Sequence, residues 1–226
     1  MNNRIALVVG TSSGGVGRHV RSLGAGLRAR GHRVAVLGPA SAERAFGFTA
    51  AGLRFSPVRI GAAPSVGDPA AVLRLRALTH GADVVHAHGL RAGALCALAG
   101  VTPLVVTAHN APPLVRGPLA NAYPLLERIV ARRADVVLGV SGDLVRRLRA
   151  AGARDARPAV VTAPETGAPL KGRQATRADL AVRPERPLLL TIARLAEQKG
   201  LDMLLEAAPA ICDRSPEPVV AIAGDG

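Results

Sequence analysis

The segment Arg4-Ile-Ala-Leu-Val-Val9 constrains this chain more than any other. Its apolar residues are consecutive rather than alternating, so both faces of the extended segment must be covered, as in a parallel sheet flanked by helices. It breaks at Gly10-Thr-Ser-Ser-Gly14-Gly15-Val-Gly17, and Val16, Val20, Leu23 and Leu27 then recur at helical spacing. Strand, glycine turn and helix in immediate succession open an α/β fold. The plan returns at Asp83–His88, Pro103–Ala108, Asp135–Val140 and Leu188–Ala193, each an apolar run that delivers polar side chains at its C-terminal end. The expectation is a doubly wound parallel sheet, with ligands at the C-terminal ends of its strands. Helices are expected near 41–51 and over 118–133, and Pro158-Ala-Val-Val-Thr-Ala163 closes the first domain's sheet.

The chain has 226 residues, room for one large domain or for one domain and part of another. Hydrophobic content of 49% supplies a core, while 2% aromatics disfavours stacking platforms for single-stranded nucleic acid. The formal charge of +13 comes almost wholly from arginine, because lysine occurs only at 171 and 199. Such charge suits anionic partners: nucleotide diphosphates, anionic lipid surfaces, or nucleic acid without specificity. The arginines are scattered apart from Arg146-Arg147-Leu-Arg149, a helix face that is either simply solvated or placed on an anionic membrane. Cys96 and Cys212 sit in apolar helical patterns and read as small buried hydrophobes. No disulfide framework is implied, which suits a reducing cytoplasm. Ile5–Val9 is too short for a signal-peptide core or a membrane span.

The glycine turn fits neither of two common phosphate loops. Gly10 and Gly15 have Walker spacing, but Val16-Gly17 stands where Lys-Ser/Thr is needed. Gly15-x-Gly17-x-x-Val20 lacks the third glycine of a dinucleotide fingerprint, and the second strand ends Leu37-Gly38-Pro39 without an acidic ribose partner. Two readings stay open: backbone N–H groups of Gly14 and Gly15 approach a phosphate at a helix start, or the glycines make a tight turn for packing.

Alternation puts His86 and His88 on one side of their strand, and the next strand delivers His109-Asn110 to the same edge. His-x-His can begin a zinc site, but no cysteine or carboxylate completes a tetrahedral set here. Ser141 follows the strand Asp135–Val140 and is a good N-cap for a helix over 142–151. Arg194 and Lys199 lie five positions apart between strand Leu188–Ala193 and a helical pattern over 201–212. A planar bidentate fork and a compact point charge beside a helix N-terminus suit a diphosphate.

Taken together, Gly14-Gly15-x-x-x-x-Val20, Arg30-Gly31-His32, Asp83-Val-Val-His86-Ala-His88, Thr107-Ala-His109-Asn110 and Arg194…Lys199-Gly200 resemble the retaining glycosyltransferases of family four. The resemblance implies the GT-B arrangement of two Rossmann-like domains and sugar transfer from a UDP- or GDP-sugar with retention of configuration, without a catalytic metal or cofactor. In its terms Arg194 and Lys199 hold the donor diphosphate, with Gly14 and Gly15 close to it. His109 steadies the transferred sugar as the catalytic residue, and His86, His88, Asn110 and Ser141 line the cleft. Ala193 departs from the family's usual glycine, and Pro164-Glu165-Thr166-Gly167-Ala168 departs from its Pro-Asn-Gly-Val-Asp.

The expected domains are an acceptor-side domain over 1–165, a connection over 166–186 with a short helix at Thr176–Leu180, and the start of a donor-nucleotide domain over 187–226. The resembled family grips its donor with a pair of glutamates further along, so the expectation is an incomplete unit with weak or no transfer by itself. The acceptor is unspecified: a small molecule, a glycan or a lipid-linked group. A cytoplasmic protein, peripheral at the inner membrane face where the acceptor is lipid-linked, fits these readings. A non-catalytic module needing a second chain is the main alternative, a Rossmann oxidoreductase a weaker one, and specific nucleic-acid binding is not expected.

Overall fold

The computed structural model describes residues 2–12, 14–112, 122–161 and 168–225, in two compact units, Met1–Glu165 and Thr166–Gly226. The first unit runs β1 (Arg4–Val9), α1 (Gly15–Ala29), β2 (Arg33–Gly38), α2 (Ala40–Phe46), a 3-10 turn (Thr49–Ala51), β3 (Arg54–Pro57) and α3 (Asp68–Thr79). It continues with β4 (Val84–His88), α4 (Leu90–Leu98), β5 (Leu104–Ala108), α5 (Ala122–Arg133), β6 (Val136–Gly139), α6 (Gly142–Ala150) and β7 (Ala156–Pro158). All seven strands are parallel, in the order β3-β2-β1-β4-β5-β6-β7.

The unalternated β1 is buried on both sides. Leu7 and Val9 pack with Val20, Val36, Phe48 and Leu53 under α1 and α2. Ala6 and Val8 belong to the larger cluster with Leu75, Leu95, Val106 and Val130 from α3, α4, β5 and α5. The direction in which strands are added reverses between β1 and β4, and this switch point leaves a crevice at the C-terminal ends of the two strands. Cys96 lies fully buried in α4, and burial pushes its thiol up to about 12.

Three elements differ from the sequence reading. The helix near 41–51 is α2 plus the 3-10 turn, because Gly47 takes the left-handed conformation (φ 59°) and stops α2. The strand expected from Pro158 onward is instead β7, which ends at Pro158 opposite Gly139 on the sheet's edge. Among the described residues beyond it, Ala159 alone follows into the ladder, donating its N–H to Gly139 O, and Val160 is 90% exposed; residues 162 and 163 of the expected strand lie outside the described residues. The helix expected over 118–133 is α5 from Ala122, and residues 118–121 lie outside the described residues.

The second unit contains α7 (Arg173–Asp179), β8 (Leu188–Ile192), a 3-10 turn (Glu197–Lys199), α8 (Leu201–Cys212) and β9 (Val219–Ala223). The stretch 168–186 therefore carries α7 and belongs with this unit. β8 and β9 pair in parallel. Val182 and Pro218 are the buried apolar side chains among its described residues, while Leu190, Ile192 and Leu205 are 47%, 78% and 60% exposed. Such a small βαβ unit covers little of its own apolar surface. Among the described residues no helix is long and apolar enough to cross a membrane.

A buried ion pair ties α3 to α4 in the first unit. One guanidinium nitrogen of Arg91 lies 2.8 Å from both oxygens of Asp68, and Arg91 Nε–H donates to Gly61 O. Burial works against the Asp68 carboxylate, but hydrogen bonds from Arg91 and Ser65 outweigh it and hold its pKa below the ordinary range. Arg91 is 8% exposed, so removing it leaves a partly buried, unpaired carboxylate. Arg91→Ala is expected to destabilise the first unit by about 3 kcal/mol. The shift in urea midpoint at unchanged slope measures it; a change within about 0.5 kcal/mol would class the pair with surface contacts.

Candidate functional site

Register decides which side chains meet at the switch point. In parallel pairing Leu7 lies opposite His86, Val9 opposite His88, and His88 opposite Thr107. Leu7 and Val9 face α1, so His86, His88 and Thr107 face that side as well. His109 follows Thr107 at the same parity, one residue past β5. α1 brings His19 to the group, which the sequence reading missed. The available signal was position: His19 stands in the i, i+3, i+4 row with Val16, Val20 and Leu23, the stripe that packs inward.

The four imidazoles form one cluster. The His86 and His88 ring centroids are 4.1 Å apart, and His88 and His109 stack at 5.4 Å. His19 stands edge-on to both His88 and His109, at 5.5 and 5.7 Å. His86 Nε2 lies 2.7 Å from Thr107 Oγ1, and His88 Nδ1 lies 3.2 Å from His109 Nε2. His88 is 2% exposed, and its Nε2 has no hydrogen-bond partner among the described residues.

Burial favours the uncharged form of every ring. It lowers the pKa of His19 and, with help from neighbouring imidazoles, lowers His86 and His109 to about 4 and His88 well below its ordinary value. Near neutral pH each ring therefore carries one donor and one acceptor. The cluster can hydrogen-bond neutral hydroxyl groups, but it supplies no positive charge. Among the described residues no three His, Cys, Asp or Glu side chains converge in a way that could hold a metal ion.

The glycine turn divides into two parts. A Cβ on Gly17 would lie 2.1 Å from the Phe46 ring, so this glycine serves the packing of α1 on α2. Among the described residues a Cβ on Gly14 or Gly15 would meet nothing within 4 Å. Packing therefore does not require these two glycines, which stand at the N-terminus of α1.

Asn110 is exposed directly after His109. Ser141 holds the N-cap position of α6 with extended backbone, yet its side chain makes no capping bond. It instead hydrogen-bonds Asp143, the main reason that carboxylate lies below its ordinary pKa. In the second unit Arg194 is exposed two residues beyond β8, and Lys199 is exposed at the end of the 3-10 turn. Gly200 (φ 60°) then starts α8.

Residues 14–164 match the family described as "Glycosyl transferase 4-like domain", and residues 172–226 match "Glycosyl transferases group 1". No curated protein matches the chain. Among solved structures, Anabaena HepE in complex with UDP is 17% identical with a TM-score of 0.73, covering 98% of this chain and 61% of that one. Sucrose-phosphate synthase from Thermosynechococcus elongatus is 16% identical with a TM-score of 0.69, covering 98% of this chain and 62% of that one. A glycosyltransferase from Rickettsia africae is 16% identical with a TM-score of 0.68, covering 100% and 61%. The chain thus spans about three fifths of the length of these structures, and at such identity the likeness is one of fold, the GT-B class expected from the sequence.

Two predictions follow from the cluster's geometry. Between about pH 6.5 and about 4 the unfolded chain binds protons that the folded cluster refuses, so stability rises with pH across that window. It should be complete above about pH 6.5 and fall as the pH drops towards 4, and His86→Asn should flatten the profile of urea midpoint against pH. The second concerns ring protonation. His88 Nδ1 and His109 Nε2 lie 3.2 Å apart, so one of the two carries the shared proton, and the tautomer of His109 is coupled to that of His88. His88→Leu should mix the two tautomers in the imidazole nitrogen NMR shifts of His109, whereas His88→Asn, whose amide can occupy the Nδ1 position, should preserve one.

Proposed function

Because the chain belongs to the glycosyl transferase 4-like family, we propose that it serves transfer of a sugar from a nucleotide-diphosphate donor to an acceptor hydroxyl with retention of configuration. The observation that carries this reading is the neutral imidazole cluster at the β1/β4 switch point, beside a helix N-terminus whose two glycines packing does not require. In this reading His109 hydrogen-bonds the transferred sugar, and His86, His88, Asn110 and Ser141 shape its surroundings. An uncharged imidazole suits a sugar hydroxyl, since it can accept or donate without the cost of burying an ion.

Arg194 and Lys199 take the donor diphosphate. The bond that breaks joins the sugar's anomeric carbon to a phosphate oxygen, and its electrons leave on the nucleoside diphosphate; the acceptor oxygen bonds that carbon on the same face, and its proton passes to the departing phosphate oxygen. Fixed cations stabilise that developing charge more than they stabilise the bound donor, which lowers the barrier. The backbone N–H groups at Gly14 and Gly15 can approach an anionic group closely, because no side chain intervenes. No step in this reading needs a metal or cofactor. The UDP complexes of HepE favour uridine as the first nucleotide to test, with guanosine as the comparison.

Calorimetric titration of the 226-residue chain with UDP-glucose and GDP-mannose tests the donor assignment. We expect saturable binding of the uridine donor, weakened about tenfold or more by Lys199→Ala. Gly15→Ala should keep the urea midpoint within about 0.5 kcal/mol, since a methyl group there meets nothing. Unchanged affinity in Lys199→Ala, or no saturable binding of either donor, would remove the donor assignment.

A further inference from the structure

We propose that the first unit carries a second anion site, at the sheet edge opposite the imidazole cluster, suited to a small soluble phosphorylated ligand. A cavity of about 700 Å³ opens at the N-terminal ends of β1, β2 and β3, where Arg4, Arg28, Arg33 and Arg54 line it. Register brings three of them together. Arg4 pairs with Arg33, and Arg54 pairs with Ala35, which shares its sheet face with Arg33. Three guanidinium stems thus leave the same face of three adjacent strands. Arg28 joins them from the last turn of α1, where helix carbonyls favour a cation; that accounts for this residue alone.

Elsewhere in the unit arginines meet carboxylates: Arg91 with Asp68, Arg147 with Glu127, Arg157 with Asp155. Among the described residues none of the four cavity arginines has an ion pair. Asp83, next to the lining residues Gly81 and Ala82, accepts the Arg4 backbone N–H at 2.7 Å instead. Converging like charges repel, and a bound anion removes that cost. Guanidinium groups match phosphate oxygens in planar, paired hydrogen bonds. The volume falls within the ordinary range for small-molecule sites, and Ile5, Val34 and Leu78 offer apolar surface to an organic moiety. The site is independent of the donor reading, since its lining residues lie at the N-terminal ends of β1, β2 and β3 and in adjoining segments, apart from Gly14, His109 and Lys199.

The test is a residue-resolved NMR titration with inorganic pyrophosphate at about 50 and about 200 mM salt. Saturable shifts are expected at the amides of Arg4, Arg33, Arg54 and Gly81, weakening at the higher salt. Arg33→Ser/Arg54→Ser should weaken binding about tenfold or more, while Arg74→Ser/Arg128→Ser, which removes equal charge from exposed helix positions, should leave it nearly unchanged. The single Arg54→Ser variant on the edge strand gives the same answer should the double variant fail to fold. Equal weakening by both pairs, shifts confined to the glycine turn or the second unit, or no saturation would overturn the proposal. So would binding to phosphatidic acid vesicles, lost in Arg33→Ser/Arg54→Ser, without any binding of free pyrophosphate.

Discussion

The parallel register of β1, β4 and β5 is the constraint on which the rest of this protein depends. Leu7 opposite His86, Val9 opposite His88 and His88 opposite Thr107 send three polar side chains to the α1 side of the sheet. A slip of one residue would turn both histidines into the larger apolar cluster, and Val85 and Ala87, which alternate with them, out of it. Because β1 is apolar on both faces, neither packing layer tolerates that slip. The hydrophobic core therefore aims the histidines, and the site inherits its geometry from packing rather than from bonds among its own members.

The electrostatic character of the site follows from the same burial. Four imidazoles crowd together, and among the described residues no carboxylate hydrogen-bonds any of them, so nothing there rewards a positive charge on the rings. The result is a polar but uncharged surface at the switch point. Positive charge is instead placed on the opposite sheet edge and, in the second unit, on Arg194 and Lys199.

Much of this was legible in the sequence, for identifiable reasons. Unalternated runs located the strands, and α8 falls at 201–212 as its leucine spacing implied. Strand parity put His86 and His88 on one face, and their rings lie in contact. His19 was legible only as a member of the inward row of α1, because that spacing does not say which rings an inward histidine meets. The bond from Ser141 to Asp143 was hidden as well: a serine before a helix predicts a cap position, but not which competing acceptor its hydroxyl finds. The arginine cavity escaped notice because Arg4, Arg28, Arg33 and Arg54 look scattered along the chain, and only register makes them neighbours.

Burial of Cys96 divides the reactivity of the two thiols. Its proton is held up to about 12 inside α4, so almost no thiolate exists at ordinary pH. Cys212, at the end of α8 in the second unit, is only half-buried. A maleimide dye or spin label offered to the native protein would thus react at one position, giving the smaller unit its own reporter without any change to the sequence.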